Sequence, residues 1–249
     1  LHMMTRKYFV LIFVFCAASW TLCADVRLPK IFGDNMVLER EMPVPVWGWA
    51  EKGEKITVTF SGQQKTAEAD NEGKWFVTLD PLKASKEPAE LKVAGKNSIT
   101  LKNILVGEVW ICSGQSNMEM TVSGVLNAKE EIAASANPII RHIKVQNISN
   151  HLKQSDIGGG SWVECSPQTV GGFTAAGYFF AKNLVKELDV PVGLVSSNVG
   201  GTCIEAWTPL EGFKMIPELK TQLATVESWD PRTDAGQAAF NDYLNKLKD

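Results

Sequence analysis

The segment Leu105-Val-Gly-Glu-Val-Trp-Ile-Cys112 is apolar at nearly every position. Such a run is typical of a strand that is buried on both faces, as in a parallel sheet covered by helices. Further apolar, strand-like runs at 139–145 and 191–195 are separated by segments with helical patterns. Because strands and helices alternate, we predict an α/β domain with a parallel sheet over residues 105–249.

Four segments of this part have helical patterns, at 127–136, 173–188, 216–226 and 235–248. The clearest pattern is that of 173–188, which predicts an amphipathic helix. Its expected apolar face consists of Phe173, Ala176, Phe180, Leu184 and Leu188. The region 147–172 has no such period, and Gly158-Gly-Gly160 within it favours a loop.

Residues 25–104 contain short β-rich runs that are separated by turn residues. The runs lie at 44–49, 55–60, 67–69, 75–79, 90–93 and 98–101. The tetrad Asp70-Asn-Glu-Gly73 predicts a hairpin loop between the two runs that flank it. We therefore expect an N-terminal β-sandwich whose sheets are separate from the parallel sheet. Its tryptophans, Trp47, Trp49 and Trp75, could form a sugar-binding platform, but packing in the core is the favoured interpretation.

The first 24 residues predict a secretory signal peptide. Arg6 and Lys7 precede an uncharged, mostly apolar stretch at 8–18, and cleavage is expected after Ala24. The stretch is short for a transmembrane helix, so an uncleaved anchor is the less favoured alternative. We expect an exported protein, periplasmic or extracellular, with no membrane attachment after cleavage.

Charge and cysteine content exclude several classes of protein. The formal net charge is −3 and both signs are interspersed, so no nucleic-acid partner is expected. Cys112, Cys165 and Cys203 follow the predicted signal peptide, and an odd number of cysteines cannot all pair. Buried free thiols are therefore favoured over a single disulfide bond. The spacing of Cys and His resembles no zinc site, and we expect neither a metal nor a cofactor.

The segment Ser113-Gly-Gln-Ser-Asn-Met118 directly follows the first apolar strand of the α/β part. Ligands of such sheets lie beyond the carboxyl ends of the strands. A serine at a sharp turn from strand to helix exposes its hydroxyl and places backbone N–H groups beside it, as acyl transfer requires. The alternative is a polar turn that only caps the helix, since Ser and Asn are favoured there.

Three ordered blocks resemble the sialate O-acetylesterase family of SGNH hydrolases. They are Gly107-Glu-Val-Trp-Ile-Cys-Ser-Gly-Gln-Ser-Asn-Met-Glu-Met120, Phe173-Thr-Ala-Ala-Gly-Tyr-Phe-Phe180 and Pro191-Val-Gly-Leu-Val-Ser-Ser-Asn-Val-Gly-Gly-Thr-Cys-Ile-Glu-Ala-Trp207. The β-rich part shares the resemblance through residues 28–38 and 45–49. The resemblance implies an SGNH-type, flavodoxin-like α/β domain. It also implies a serine esterase that removes O-acetyl groups from sugars, sialic acids foremost, without a metal.

The resemblance also implies roles for individual residues. Ser116 matches the nucleophile, and its own N–H would be one oxyanion donor. Gly172 is the candidate glycine donor, although it could equally be a simple helix-entry glycine. Asn198 is a candidate amide donor. The candidate substrate-binding residues are Gln115, Asn117, Gly200, Gly201, Thr202 and Glu205.

Glu205 and Trp207 each have two interpretations. Both could shape the substrate pocket. Alternatively, Glu205 could be an acidic residue in the first turn of a helix, and Trp207 could be a packing residue.

The catalytic base has no counterpart in this sequence. The SGNH pattern ends in Asp-x-x-His, and none of His2, His142 and His151 fits that block. We therefore expect an α/β domain that is truncated at its C-terminus and a chain that is inactive by itself. A non-catalytic sugar-binding protein is the main alternative. A further one is a β-rich interaction module attached to a relic of the esterase.

Overall fold

The computed structural model describes residues 25–148 and 153–247. The predicted signal peptide at 1–24, His2 and His151 lie outside the described residues. The strands are β1 Val37–Glu39, β2 Val44–Trp49, β3 Lys55–Phe60, β4 Gln63–Glu68, β5 Lys74–Leu79, β6 Ser85–Ala94, β7 Ser98–Gly114, β8 Asn137–Lys144, β9 Val163–Cys165 and β10 Val192–Asn198. The α-helices are α1 Ser116–Glu119, α2 Ala128–Ala133, α3 Ala175–Leu188, α4 Leu210–Met215, α5 Lys220–Glu227 and α6 Asp234–Lys246. None of these helices is long and apolar enough to cross a membrane.

Strand β7 joins the β-rich part to the α/β part. It has 17 residues. Its first half pairs antiparallel with β6, and its second half pairs parallel with β10, from Glu108 opposite Val192 to Gly114 opposite Asn198. The resulting sheet has the order β4-β3-β6-β7-β10-β8-β9, with β1 parallel to the middle of β7. The mixed α/β class is confirmed, but the expectation of separate sheets is wrong.

The expected boundary at residues 104 and 105 thus falls inside one strand. The sequence changes character there because the environment of β7 changes, not because the strand ends. Burial on both faces extends only over Ile104–Gly107, and further along Trp110 is 42% and Ile111 is 74% exposed. The prediction of a strand buried over its whole length is therefore wrong beyond Gly107.

A second, two-stranded sheet of β2 and β5 shares a core with the large sheet. Both sheets contribute fully buried side chains to it, including Val46, Ile56, Leu79, Leu91 and Ile104. The arrangement does not establish the predicted β-sandwich as a separate unit, because one of its layers continues into the parallel sheet. Trp75 lies in this core with 2% exposure, whereas Trp47 packs edge-on against Phe32.

The predicted hairpin around Asp70 is wrong in its pairing. The turn itself forms, since the Asp70 carboxylate accepts hydrogen bonds from the backbone N–H groups of Glu72 and Lys74. The flanking strands, however, pair with different partners: β4 with β3, and β5 with β2. Local hydrogen bonds fix the reversal of the chain, but burial of the alternate side chains decides which sheet each strand joins.

Helix α3 forms where it was predicted, but it is rotated from the expected orientation. Its buried residues are Ala175, Gly177, Tyr178 and Ala181, whereas Phe180 is 40% and Leu188 is 45% exposed. Small residues face the sheet because the helix approaches it closely. A β-carbon added to Gly177 would lie 2.7 Å from the sulfur of Cys112. The thiols of Cys112 and Cys165 are buried and free, as expected, whereas that of Cys203 is exposed.

Gly107 marks a close approach between β7 and the start of β10. A β-carbon at this position would lie 2.0 Å from the carbonyl oxygen of Pro191, a backbone atom that cannot move without distorting the sheet. We expect Gly107→Ala to lower the free energy of unfolding by about 2 kcal/mol, measured by urea denaturation. Gly172→Ala is the control, because its new β-carbon would have no heavy atom within 4 Å. Equal stability of the two variants would contradict the close approach.

Candidate active site

Ser116 lies at a sharp turn between β7 and α1. Gly114 ends the strand with φ at 148°, a conformation that residues with a side chain rarely adopt, and Ser116 is the first residue of the helix. Ser116 is exposed. The residue before the helix, Gln115, makes no side-chain capping bond, so the structure does not support a turn that serves only to cap α1.

The Ser116 hydroxyl is oriented by its neighbour. Its Oγ donates to Oε1 of Gln115 at 3.0 Å. An amide oxygen is not a base at neutral pH, so this bond positions the hydroxyl without activating it. The next residue, Asn117, is exposed beside it. The local sequence therefore supplies an exposed hydroxyl, but not the group that would take its proton.

The glycine loop after β10 lies directly against Ser116. Because β10 and β7 are parallel neighbours, their carboxyl ends meet, and the N–H of Val199 donates to the Gly114 carbonyl at 3.1 Å. A β-carbon on Gly200 would lie 3.6 Å from Cα and 3.7 Å from Cβ of Ser116. The structure thus brings together two candidate residues that are far apart in sequence.

Glu119 ties that loop to the helix of Ser116. Its Oε2 accepts a hydrogen bond of 2.7 Å from the N–H of Gly200. Glu119 follows Ser116 by three residues, a spacing that places two side chains on neighbouring positions of a helix. The sequence alone predicts no role for Glu119. Its spacing from Ser116 can be read from the sequence, but its partner Gly200, 81 positions away, cannot.

Asn198 lies beneath this turn with 1% exposure. Its side-chain nitrogen donates to the carbonyl of Cys112 at 3.3 Å and to Oγ of Ser196 at 2.8 Å. Its side-chain oxygen accepts a hydrogen bond from the ammonium group of Lys144. Both amide hydrogens have acceptors inside the protein. In this arrangement Asn198 supports the ends of the strands, and its role as an oxyanion donor stays a prediction.

The predicted role of Gly172 as an oxyanion donor requires a free N–H, but its N–H is already hydrogen-bonded. It ends a short 3₁₀ turn, and its N–H donates to the carbonyl of Thr169 at 3.1 Å. Helix α3 begins later, with Thr174 as its N-cap, and the Thr174 hydroxyl donates to the carbonyl of Met118 at 2.7 Å. The start of α3 therefore contacts α1 through Thr174. Gly172 therefore lies in the turn that precedes the helix, and its role as an oxyanion donor stays a prediction.

The residues after Gly200 form a hydrogen-bonded loop with Gly201 exposed in it. The Trp207 indole donates to Oγ1 of Thr202 at 2.8 Å, and that hydroxyl donates to the Val199 carbonyl at 2.7 Å. Glu205 lies in the first turn of a 3₁₀ helix at Ile204–Trp207. Its own backbone N–H, followed by the Cys203 thiol, lowers the pKa of its carboxyl. This favours the helix-start interpretation of Glu205.

His142 is the one histidine within 25–148 and 153–247, and it is buried on β8. It is 3% exposed, its ring stacks on that of Phe173 at 4.4 Å, and its Nε2 has no hydrogen-bond partner. Burial, with a smaller contribution from the charge of Lys144, lowers the pKa of His142 to about 4. In the sheet, His142 lies opposite Leu194, which lies opposite Trp110, so the ring is two strands away from β7 and level with a residue six positions before Ser116. His142 is therefore not placed as the base of the Ser116 hydroxyl.

Comparison with known proteins gives concordant results. Residues 106–228 match a family described as "Carbohydrate esterase, sialic acid-specific acetylesterase". The chain is 31% identical over 224 residues to the sialate O-acetylesterase of Mus musculus, covering 82% of this chain and 41% of that protein. It is 31% identical to the human sialate O-acetylesterase over 76% of this chain and 40% of that protein.

A solved structure supports both the fold and the family. The crystal structure of a carbohydrate acetylesterase from Xanthomonas citri matches with a TM-score of 0.72 and 38% identity, over 74% of this chain and 42% of that one. The chain thus spans about two fifths of the length of the relatives that it matches. Residues 106–228, which match the family, contain the Ser116 turn, the Gly200 loop and β10. On these matches, residues 106–228 belong to the family of sialic acid-specific acetylesterases, and the chain as a whole is similar to sialate O-acetylesterases.

Proposed function

We propose that the protein is a carbohydrate O-acetylesterase with Ser116 as its nucleophile and O-acetylated sialic acids as its foremost substrates. The observation that carries this proposal is the exposed Ser116 hydroxyl at the carboxyl end of a parallel strand, with the Gly200 loop packed against it. The names of the relatives support an acetylated sugar as the class of substrate. We also propose that the protein acts after export.

In the proposed reaction, Ser116 Oγ attacks the carbonyl carbon of the acetyl ester and its proton passes to a base. The bond from the acetyl carbon to the sugar oxygen breaks, and that oxygen takes up the proton. Water then attacks the acetyl-serine, releasing acetate and restoring the hydroxyl. The Ser116 N–H, at the start of α1, has no partner within the helix and would stabilise the oxyanion. Gly172 and Asn198 would have to exchange their present hydrogen bonds to contribute.

We propose that the 249-residue chain alone turns over slowly, because the described residues supply no histidine base within reach of Ser116. General-base catalysis contributes about 10²–10⁴-fold, and a small base can replace part of it. We expect added imidazole to accelerate acetate release from O-acetylated N-acetylneuraminic acid by at least about 10-fold. The Ser116→Ala variant measures the background hydrolysis by imidazole itself. The acceleration should be absent from that variant.

Two other results of this experiment would favour a different base or a non-catalytic protein. Fast acetate release without imidazole, abolished by His151→Ala, would show that the base lies within the chain and that its expected inactivity is wrong. Acetate release that never exceeds the Ser116→Ala background, with or without imidazole, would overturn the esterase proposal. The non-catalytic sugar-binding protein would then be favoured, an alternative that the burial of His142 supports.

A further inference from the structure

A cleft of about 550 Å³ borders the loop after β10, the loop whose Gly200 packs against Ser116. It is beyond the carboxyl ends of β8 and β10, and its walls include Ser197, Val199, Thr202 and Trp207. Gly200 lies between Val199 and Thr202 on this loop, and it packs against Ser116 of the neighbouring turn. The volume is in the range of small-molecule sites, roughly 300–1,000 Å³. The cleft and the nucleophile are therefore on neighbouring sides of one loop.

Trp207 is held in a fixed orientation at this cleft. Its indole N–H donates to the Thr202 hydroxyl, which in turn donates to the Val199 carbonyl at the end of β10. The Thr202 hydroxyl donates its one hydrogen to the Val199 carbonyl, and a lone pair of the same oxygen accepts the indole N–H. The two hydrogen bonds are therefore compatible. Trp207 is half-buried and lines the cleft, so these two hydrogen bonds fix the position of an aromatic residue in the cleft wall.

The remaining walls combine apolar residues with polar residues and charged residues of both signs. The polar and charged ones include Gln146, Asn147, Asp156 and Lys30. Lys30 is held at both ends of the residue. Its backbone N–H donates to the Asp156 carboxylate at 2.9 Å, and its ammonium group donates to the Gly158 carbonyl at 3.3 Å. Amides, a carboxylate and an ammonium together offer donors and acceptors, which match the hydroxyl groups of a sugar.

We propose that this cleft binds the pyranose ring of the ester substrate, stacked on Trp207, while the acetyl group extends past Gly200 to Ser116. The aromatic face is electron-rich and attracts the C–H bonds of one face of a sugar ring, whose hydroxyl groups then meet the polar walls. The placement of the acetyl group towards Ser116 rests on the proposed function. The sugar site itself needs no hydrolysis and can be tested separately.

The test measures binding of free N-acetylneuraminic acid and of N-acetylglucosamine by calorimetry and by saturation-transfer NMR. Neither sugar has an O-acetyl ester, so binding does not depend on catalysis. We expect Trp207→Ala to weaken binding of at least one sugar by about 10-fold, and Trp207→Phe to retain most of it. Thr202→Val, which removes the hydrogen bond but keeps the shape, should fall between the two. Trp229→Ala is the control, because Trp229 is 57% exposed and does not line the cleft.

The possible results separate this inference from the proposed function. If neither sugar binds, or if Trp207→Ala binds as the unaltered chain does, the cleft is not the sugar site. Acetate release that persists with an unchanged KM in Trp207→Ala would have the same meaning and would leave the esterase proposal intact. Binding that depends on Trp207, with acetate release never above the Ser116→Ala background, would confirm the cleft and overturn the esterase proposal.

Discussion

Ser116→Ala, in the protein expressed from its natural gene, should lower acetate release from O-acetylated sugars by at least about 1,000-fold. Among the described residues, Ser116 is the hydroxyl that combines a hydrogen bond to Gln115 with a contact to Gly200, whereas the Thr202 hydroxyl is engaged with the Val199 carbonyl. Because the side chain is exposed and contributes nothing to the core, the free energy of unfolding should change by less than about 1 kcal/mol. Acetate would be measured by an enzyme-coupled assay, and stability by urea denaturation.

Ser113→Ala is the matched control for this variant. Ser113 is an exposed serine three residues earlier, on β7, and it lies outside the contacts that surround Ser116. It should retain acetate release within a factor of about two, as expected for a surface substitution without a named role. If Ser116→Ala keeps more than a tenth of the original rate, Ser116 is not the nucleophile.

The sequence predicted those features of this region that depend on neighbouring residues. The apolar runs at 105–112 and 191–195 predicted two strands of a parallel sheet, and both form, as the second half of β7 and as β10. Once these two strands are adjacent, the Ser116 turn and the Gly200 loop must meet at their carboxyl ends. The adjacency of the two strands and the exposure of Trp110 and Ile111 were not predicted, because both depend on which other elements lie beside and over the sheet.

Features that depend on distant partners were missed. The rotation of α3 followed from the small residues Gly177 and Ala181, which allow the helix to lie close to β7, and not from the position of its largest apolar side chains. The continuity of β7 likewise depends on the antiparallel β6 at one end and the parallel β10 at the other. The contact between Glu119 and Gly200 joins residues 81 positions apart, and neither residue type predicts it alone.

His142 gives the second large expected effect, a loss of stability in acid. Its pKa in the folded protein is lowered from 6.5 to about 4 because burial penalises the charged ring. The unfolded chain therefore takes up the proton first as the pH falls below about 6.5, which favours unfolding. The loss should accumulate between about pH 7 and pH 4 and reach about 3 kcal/mol, with no further contribution from His142 at lower pH.

The matched variant is His142→Phe, which keeps a ring that can stack on Phe173 but cannot take up a proton. The carboxyl groups titrate in both proteins, so the difference between their unfolding free energies isolates His142. That difference, from urea denaturation at several pH values, should move by about 3 kcal/mol in favour of the phenylalanine variant between pH 7 and pH 4. Parallel pH profiles would mean that the His142 ring is hydrated or hydrogen-bonded in solution. In that case the uncharged, buried state of the ring would be wrong, although its position on β8 would still keep it away from Ser116.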